Sequence, residues 1–538
     1  MERSRVAVVG AGSSGLTMLK ALREDGFKVT LYERRDNVGG LWAYTDNPAY
    51  TTALPSTRAN LSKFTCGYSD YPMPEKYPTF MQPHEFQEFM EGYATHFDLL
   101  KDIVFGATVT LARRNDTDTC WLLDVEKDGN TTTVEYDRIV FAHGYQSKAD
   151  IPTFEGQENF TGTIIHSQSF RDPTQFTNQK VVVIGLSSTS GDIIPLLTPL
   201  ASKVYVSHRR GALPFKRYNH RNTPNDLAAT WRRRQLSHFM QRYFPNLSRH
   251  LTDFVLTLLA QRAFPFPLDP AWRLIPFPSL TLNLPGSFEL VVPLLRSGEV
   301  TSLSGLKRFA GGKTLEFADG TVVEDVDAVV LCTGYNADWS AVAPFVEESV
   351  PDVEGYDGVA MKRLWMNMFP PRYADSCVML CYSSFGKNNG FSFADVTAWA
   401  VSNVWRGVEP LPKREEMERW VDGHQRWVVE ECWRKDKHVD MSMVRQWEFQ
   451  GWQHRAAGTG MEALGWGWKG WAFWWRDREM YGLMNHGVET AHAFRYFETG
   501  RRRTWDGAEE AIRKVNEVVK KKFPAKEEDI EWPPKIKV

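Results

Sequence analysis

No stretch of this sequence reaches the roughly 18 uncharged apolar residues that a membrane-spanning helix requires, so no transmembrane segment is expected. Charge of one sign is also lacking. The formal net charge of -2 offers no basic field for nucleic acid. Cysteine is scarce, six in 538 residues. Cys377 and Cys381 are spaced C-x-x-x-C, not the C-x-x-C of a dithiol redox pair, so a disulfide framework is not expected either. The first strand, read from Val6 to Val9, leaves no room for a cleavable apolar leader. These absences read together as a cytoplasmic protein with reduced thiols. The chain is too long for one hydrophobic core and predicts two or three domains.

What is present begins at once. "SRVAVVGAGSSGLTMLKALREDGFKVTLYERRDNVGGLW" runs from an apolar strand into Gly10-Ala-Gly12-Ser13-Ser14-Gly15. A helical pattern follows at Leu16, Leu19 and Leu22, then a second strand from Lys28 to Tyr32 that ends at Glu33. A lone G-x-G-x-x-G is weak evidence. Here it follows a strand, opens a helix, and has an acid 18 residues past the last glycine, which makes a dinucleotide fingerprint. Gly10 permits the turn, Gly12 admits a pyrophosphate, and Gly15 lets helix pack on strand. Glu33 accepts hydrogen bonds from a ribose diol and repels a 2′-phosphate. Gly40, Leu41 and Trp42 just beyond suit a cofactor that extends past the ribose, so FAD is expected over NAD.

The pattern recurs in "KVVVIGLSSTSGDIIPLL", residues 180 to 197. Val181 to Ile184 read as strand, Gly185 as turn, and Asp192 to Leu197 as the helix start. Ser187 and Ser190 stand at glycine positions, and Ser188 and Thr189 add hydroxyls that can bind phosphate. The next strand, "KVYVSHRR", ends in Arg209 and Arg210 rather than an acid. Either arginine can pair with a 2′-phosphate, so NADP(H) is expected here. Two such loops predict an α/β chain with two Rossmann-like domains, FAD resident in one and NADPH delivering hydride from the other.

Between the loops lies "FTGTIIHSQSF", Phe160 to Phe170. This F-x-G-x-x-x-H-x-x-x-[FY] string resembles the fingerprint of the flavin-containing monooxygenases, the class B flavoprotein oxygenases. "RANLSKFTCGYSDYPMP" resembles that family's T-N-x-x-K segment, which places Asn60 at its active-site asparagine. "DAVVLCTGY" resembles its A-T-G-Y segment, with Thr333 and Gly334 on the return to the flavin domain. "LWMNMFPPRYADSCVMLCYSS" resembles its L-Y-x-x-x-F-P-P stretch. The resemblance covers roughly residues 5 to 407 and implies an enzyme that uses FAD, NADPH and O₂ to oxygenate a small molecule through a C4a-hydroperoxyflavin. It implies that Asn60 donates at the flavin's reactive edge and that His166 acts at the junction of the two domains. The expected reaction is oxygenation of nitrogen or sulfur on a mostly apolar substrate. Baeyer–Villiger oxygenation of a ketone is the alternative, against which Phe170-Arg171 argues, because that subgroup typically carries Trp there with Asp or Pro after it. A flavin reductase without productive oxygenation is the third reading. The chain departs from the family at His143, where Thr is usual, and at Ser187 and Ser190.

The expected organisation is an FAD domain over 1–170 and an NADP domain over 171–330. The chain then returns to the FAD domain over 331–410, and a mainly helical extension over 411–538 packs over the active site. Residues 211–295 read as a helical insert, either packed or in peripheral contact with a membrane surface. Tryptophan is concentrated at the C-terminus, with 12 of 20 beyond residue 410. The run from Leu464 to Gly487 reads as a packed aromatic layer or the lining of a substrate channel.

Overall fold

The computed structural model describes residues 4–283, 285–342, 345–382 and 390–524. Val6, Ala7 and Val8 are fully buried, as befits a central parallel strand covered on both faces. Arg5–Val9 pairs with Lys28–Glu33 on one side and Arg138–Phe141 on the other. Ile103–Phe105 and Cys377–Met379 form the edges of this five-stranded parallel sheet. The helix Ser13–Glu24 buries Leu16, Leu19 and Leu22 against it, and the helix Gly390–Trp405 packs on that helix in turn.

The second sheet has the same plan. Lys180–Ile184 lies between Lys203–Ser207 and Ala328–Leu331, with Val300–Leu303 and Thr163–His166 at the edges, all parallel. The strand Thr163–His166 hydrogen-bonds into this sheet, so the handover between sheets falls before residue 163, not at 170. The following helix also starts earlier than expected, at Ser188 rather than Asp192. Its start is capped: Ser190 Oγ accepts from the Ser187 N–H at 2.8 Å and donates to the Ser187 carbonyl at 2.9 Å. The insert carries two helices, Trp231–Tyr243 and Pro245–Gln261.

The C-terminal region is fastened to the first sheet by buried charge. Arg495 sits 2.8 Å from Asp70, which also pairs with Lys20 at 2.7 Å. Burial alone would raise the Asp70 carboxyl, but Arg495 and Lys20 hold it below its ordinary value. Removing one member of such a buried set costs about 3–5 kcal/mol. Trp452 adds an edge-on contact to Trp365 at 5.1 Å. The last described helix is Ala508–Lys522. The end of the tail, 525–538, and Ser383-Ser384 of the L-Y-x-x-x-F-P-P-like stretch lie outside the described residues.

Candidate active site

One cavity of about 820 Å³ joins the two glycine-rich turns, a size ordinary for an organic ligand. Gly10, Gly12, Ser13, Ser14, Glu33, Gly40, Leu41, Trp42 and Asn60 reach its walls from the first sheet, and Ser188 from the second. Gly15 lies beneath the wall. A Cβ there would stand 1.8 Å from the Gly10 carbonyl oxygen, so only glycine lets the helix approach the turn this closely. Because Ser13 and Ser14 open their helix at the cavity, the positive end of its dipole meets whatever binds there. Glu33 is buried at its strand end and accepts from the Ala11 N–H at 2.6 Å and the Arg35 N–H at 2.9 Å. Each carboxylate oxygen keeps lone-pair capacity for a hydroxyl. Arg35 donates to the carbonyls of Gly40 (2.9 Å), Ala43 (2.7 Å) and Thr51 (2.8 Å), which fixes the loop carrying Leu41 and Trp42.

The second turn is held differently. Gly185 has φ +103°, and a Cβ there would meet the Cys332 carbonyl oxygen at 2.4 Å. Ser187 and Ser190 bond to each other, and the Ser190 side chain is fully buried. Ser188 Oγ accepts from the Ser287 N–H at 3.1 Å. The two arginines part company: Arg210 pairs with Asp436 of the C-terminal region and donates to Asn283 at 2.8 Å. Arg209 is exposed and has no carboxylate partner among the described residues. Asp192, on the same helix, lines the cavity and accepts from Thr57 Oγ1 at 2.8 Å. Burial pushes its carboxyl up to about 6.

The loop that presents Asn60 is braced from the insert. Buried Arg217, itself held by Glu289 at 2.8 Å, donates to the carbonyls of Ala59 (2.8 Å) and Arg58 (2.7 Å) and to Asn60 Oδ1 (3.4 Å). Asp226 accepts from the Ser62 N–H (2.9 Å), Ser62 Oγ (2.7 Å) and Thr65 Oγ1 (2.6 Å). Asn60 Nδ2 has no protein partner among the described residues.

This architecture matches known proteins. The sequence model of the flavin-binding monooxygenase-like family matches residues 3–446. The chain belongs to that family. It is 34% identical over 525 residues to a protein named Monooxygenase aurF from Gibberella zeae, covering 96% of this chain and 98% of that one. It is 30% identical over 428 residues to human flavin-containing monooxygenase 5, covering 78% of this chain and 76% of that one. In fold it is similar to the S-allyl-L-cysteine S-oxygenase of Allium sativum, with a TM-score of 0.62 at 18% identity over 96% of this chain and 99% of that one.

As a flavin-binding monooxygenase, the protein is an oxidoreductase that uses FAD, NADPH and O₂. The turn made tight by Gly15, with Glu33 at its far side, fits FAD. The second turn, with Arg209 uncommitted, fits NADPH. Other expected site residues stand back from the cavity. Gly185, Ser187, Thr189, Ser190, Arg209, Arg210, Thr333, Gly334 and His166 are not in its walls. Thr333 Oγ1 donates to the Asp150 carbonyl at 2.5 Å, a bond within the connection between the sheets. His166 is buried at a strand end; its Nδ1 accepts from the Gln168 N–H at 3.0 Å and its ring meets Tyr335 edge-on at 5.1 Å. Gln168 reaches Thr51 Oγ1 of the first sheet's side at 2.8 Å. Phe160 packs on Phe309, and Phe170 stacks on Phe176. Arg171 donates to the carbonyls of Thr45 (2.7 Å), Asn47 (2.9 Å) and Tyr50 (2.8 Å). The F-x-G-x-x-x-H string is thus a connector between the two nucleotide folds. His143 does line the cavity, and its Nε2 donates to the Asp338 carbonyl at 2.8 Å. Burial lowers its pKa, so the ring is neutral near pH 7.

Sequence reading missed Arg35, Arg217, Asp226 and Asp192. Arg35 follows Glu33 closely enough to have been suspected. Arg217 and Asp226 act on residues more than 150 positions away, and no local spacing announces them.

Proposed function

We propose that the protein transfers one oxygen atom from O₂ to a nitrogen or sulfur of a small, mostly apolar substrate, with NADPH as the electron source. The observation that supports this reading is the company Asn60 keeps. It shares the cavity wall with Leu61, Met368, Phe391 and Phe393, which favour an apolar guest. A soft amine or thioether brings its own lone pair and needs no general base. When bound and reduced, the flavin supplies the electrophilic oxygen. The chain's own residues hold the guest, exclude water and orient donors. The Asn60 amide donates without being acidic enough to release a proton, and Arg217 and Asp226 keep its loop from drifting. His166 and Arg171 serve as positioning residues that set one nucleotide fold against the other.

The test is a product assay on the purified yellow protein with NADPH, air, and either methyl phenyl sulfide, N,N-dimethylaniline or cyclohexanone. Sulfoxide or N-oxide formed in step with NADPH is the expected result. A lactone from cyclohexanone in their place would reassign the reaction to ketone oxygenation. Peroxide alone with all three would leave a reductase.

A further inference from the structure

Three helices of this protein carry their amphipathicity inside out. On Pro245–Gln261 the buried positions are the small Ser248 and Ala260. Leu247, Leu251, Phe254, Val255 and Leu259 are exposed, Phe254 by 68%. On Trp231–Tyr243 the exposed apolar residues are Leu236, Phe239 and Tyr243, a stripe at helical spacing. On Trp468–Arg476 the helix buries Gly470 and Phe473 and turns Trp468, Trp471 and Trp475 outward, Trp468 by 77%. The expected packed aromatic layer is therefore not what these tryptophans form, and among the described residues none beyond Thr397 lines the cavity. The physical reason is spacing: 468, 471 and 475 share one helix face, and of the helix's aromatic residues only Phe473 is buried, beside Gly470.

The three helices are linked through Trp231–Tyr243. The first two helices pack together across the Phe244-Pro245 junction. Phe239 meets Trp466 at 6.5 Å, and the Arg232 guanidinium lies 5.1 Å over the same ring. Arg234 bonds Glu489 at 2.7 Å, locking the insert to the C-terminal region. We propose that this face docks on the surface of an anionic lipid bilayer.

Large apolar side chains exposed on neighbouring helices mark an interaction site. Its charge and composition name the partner. Arg233, Arg242, Arg249, Arg476 and Arg478 stand on these helices or at their ends, and none pairs with a carboxylate among the described residues. Asp253, the one acid of the two insert helices, is occupied by the Leu280 N–H at 2.9 Å. Exposed tryptophans with flanking arginines suit the headgroup zone, where the ring is buried and the indole N–H stays wet. Each cation near an anionic leaflet adds to the attraction. Among the described residues no helix is long and apolar enough to cross a membrane, so the face lies on the bilayer rather than through it.

The experiment is co-sedimentation of the flavin-loaded protein with phosphatidylcholine vesicles, with and without phosphatidylserine. Binding to the phosphatidylserine vesicles is expected, with weaker binding to phosphatidylcholine alone. The triple variant Trp468→Ser/Trp471→Ser/Trp475→Ser should bind at least about tenfold less. So should Leu251→Ser/Phe254→Ser on the neighbouring helix. Both should keep the flavin absorbance and melting temperature of the parent, which shows that they fold. The proposal is overturned if the parent ignores both vesicles, or if folded variants bind as well as the parent. It is equally overturned by a dimer that these substitutions break in a protein indifferent to vesicles, which would assign the face to a second copy of the chain.

Discussion

The two nucleotide turns share a strand–turn–helix frame and secure it by different means. In the first, the helix presses so closely on the turn that Gly15 has no room for a Cβ, and the next strand ends in buried Glu33. In the second, serines stand at the two later glycine positions, and one hydroxyl staples the helix start. Two residues past the end of the following strand stands Arg209, exposed and without a carboxylate partner among the described residues. On the proposed function, the first turn is the seat of a cofactor that stays. The second keeps a close approach at Gly185 but exchanges the later glycines for a self-capped helix start, an arrangement that would suit a reductant that must come and go. The contrast predicts unequal responses to equal-sized substitutions.

The largest response is expected at Gly15. In Gly15→Ala the new Cβ overlaps the Gly10 carbonyl, and backbone rather than a flexible side chain must give way. Overpacking of this kind costs about 1–3 kcal/mol or more, concentrated at the FAD seat. The variant should purify colourless, with its flavin absorbance lost. A fully yellow Gly15→Ala protein would break the comparison at its first term.

Next comes the charge proposed to read the reductant. A charged hydrogen bond to a 2′-phosphate contributes about 1.5–3 kcal/mol, so Arg209→Gln should raise the KM for NADPH about 10- to 150-fold and leave that for NADH unchanged. Arg210→Gln should move it by less than about threefold, because that guanidinium is already spent on Asp436 and Asn283. Equal effects at the two positions would erase the distinction between them.

Asp192 sharpens the comparison through pH. Its carboxyl, pushed up to about 6 in the fold against 3.8 ordinarily, takes up a proton in the folded state before it would in the unfolded chain. Stability therefore falls as pH rises from about 4 to about 6, and the loss is complete above that. Asp192→Asn, still able to accept from Thr57, should remove this slope and raise stability near pH 7. Discounted for the side chain's partial exposure, the gain is about 1–2 kcal/mol. Urea unfolding of parent and variant at pH 4.5 and pH 7, roughly the two ends of that window, reads the difference directly. An unchanged slope would mean that Asp192 titrates normally.

What was legible in the sequence was what is local. Each turn lies within about 30 residues of its own two strands, the length of a βαβ unit, with Glu33 at the end of the first unit, and this spacing carries the geometry. Asn60 became legible through its family-like segment. Its supports did not, because Arg217 and Asp226 come from the insert and act across 157 to 164 positions. The handover before residue 163 was hidden for a related reason: Thr163–His166 pairs with Ala328–Leu331, and a parallel edge strand shows its partner only in the fold. The tryptophans show the limit of composition. Their density suggested packing, yet Trp452 is buried against Trp365 while Trp468, Trp471 and Trp475 face outward. Helical phase decided between these outcomes, and counting could not.

The smallest expected effect tests the second turn's own claim. If Ser190 serves the fold and not the nucleotide, Ser190→Ala loses the two bonds to the Ser187 backbone and nothing else. A lost helix cap costs about 1 kcal/mol, a modest fall in urea midpoint at unchanged slope. The KM for NADPH should stay where it was, because this hydroxyl is buried and outside the cavity walls. A rise in KM with stability intact would show that the serine faces the nucleotide after all. The second turn would then be a phosphate cradle built from hydroxyls, closer in kind to the first than its capped helix start suggests.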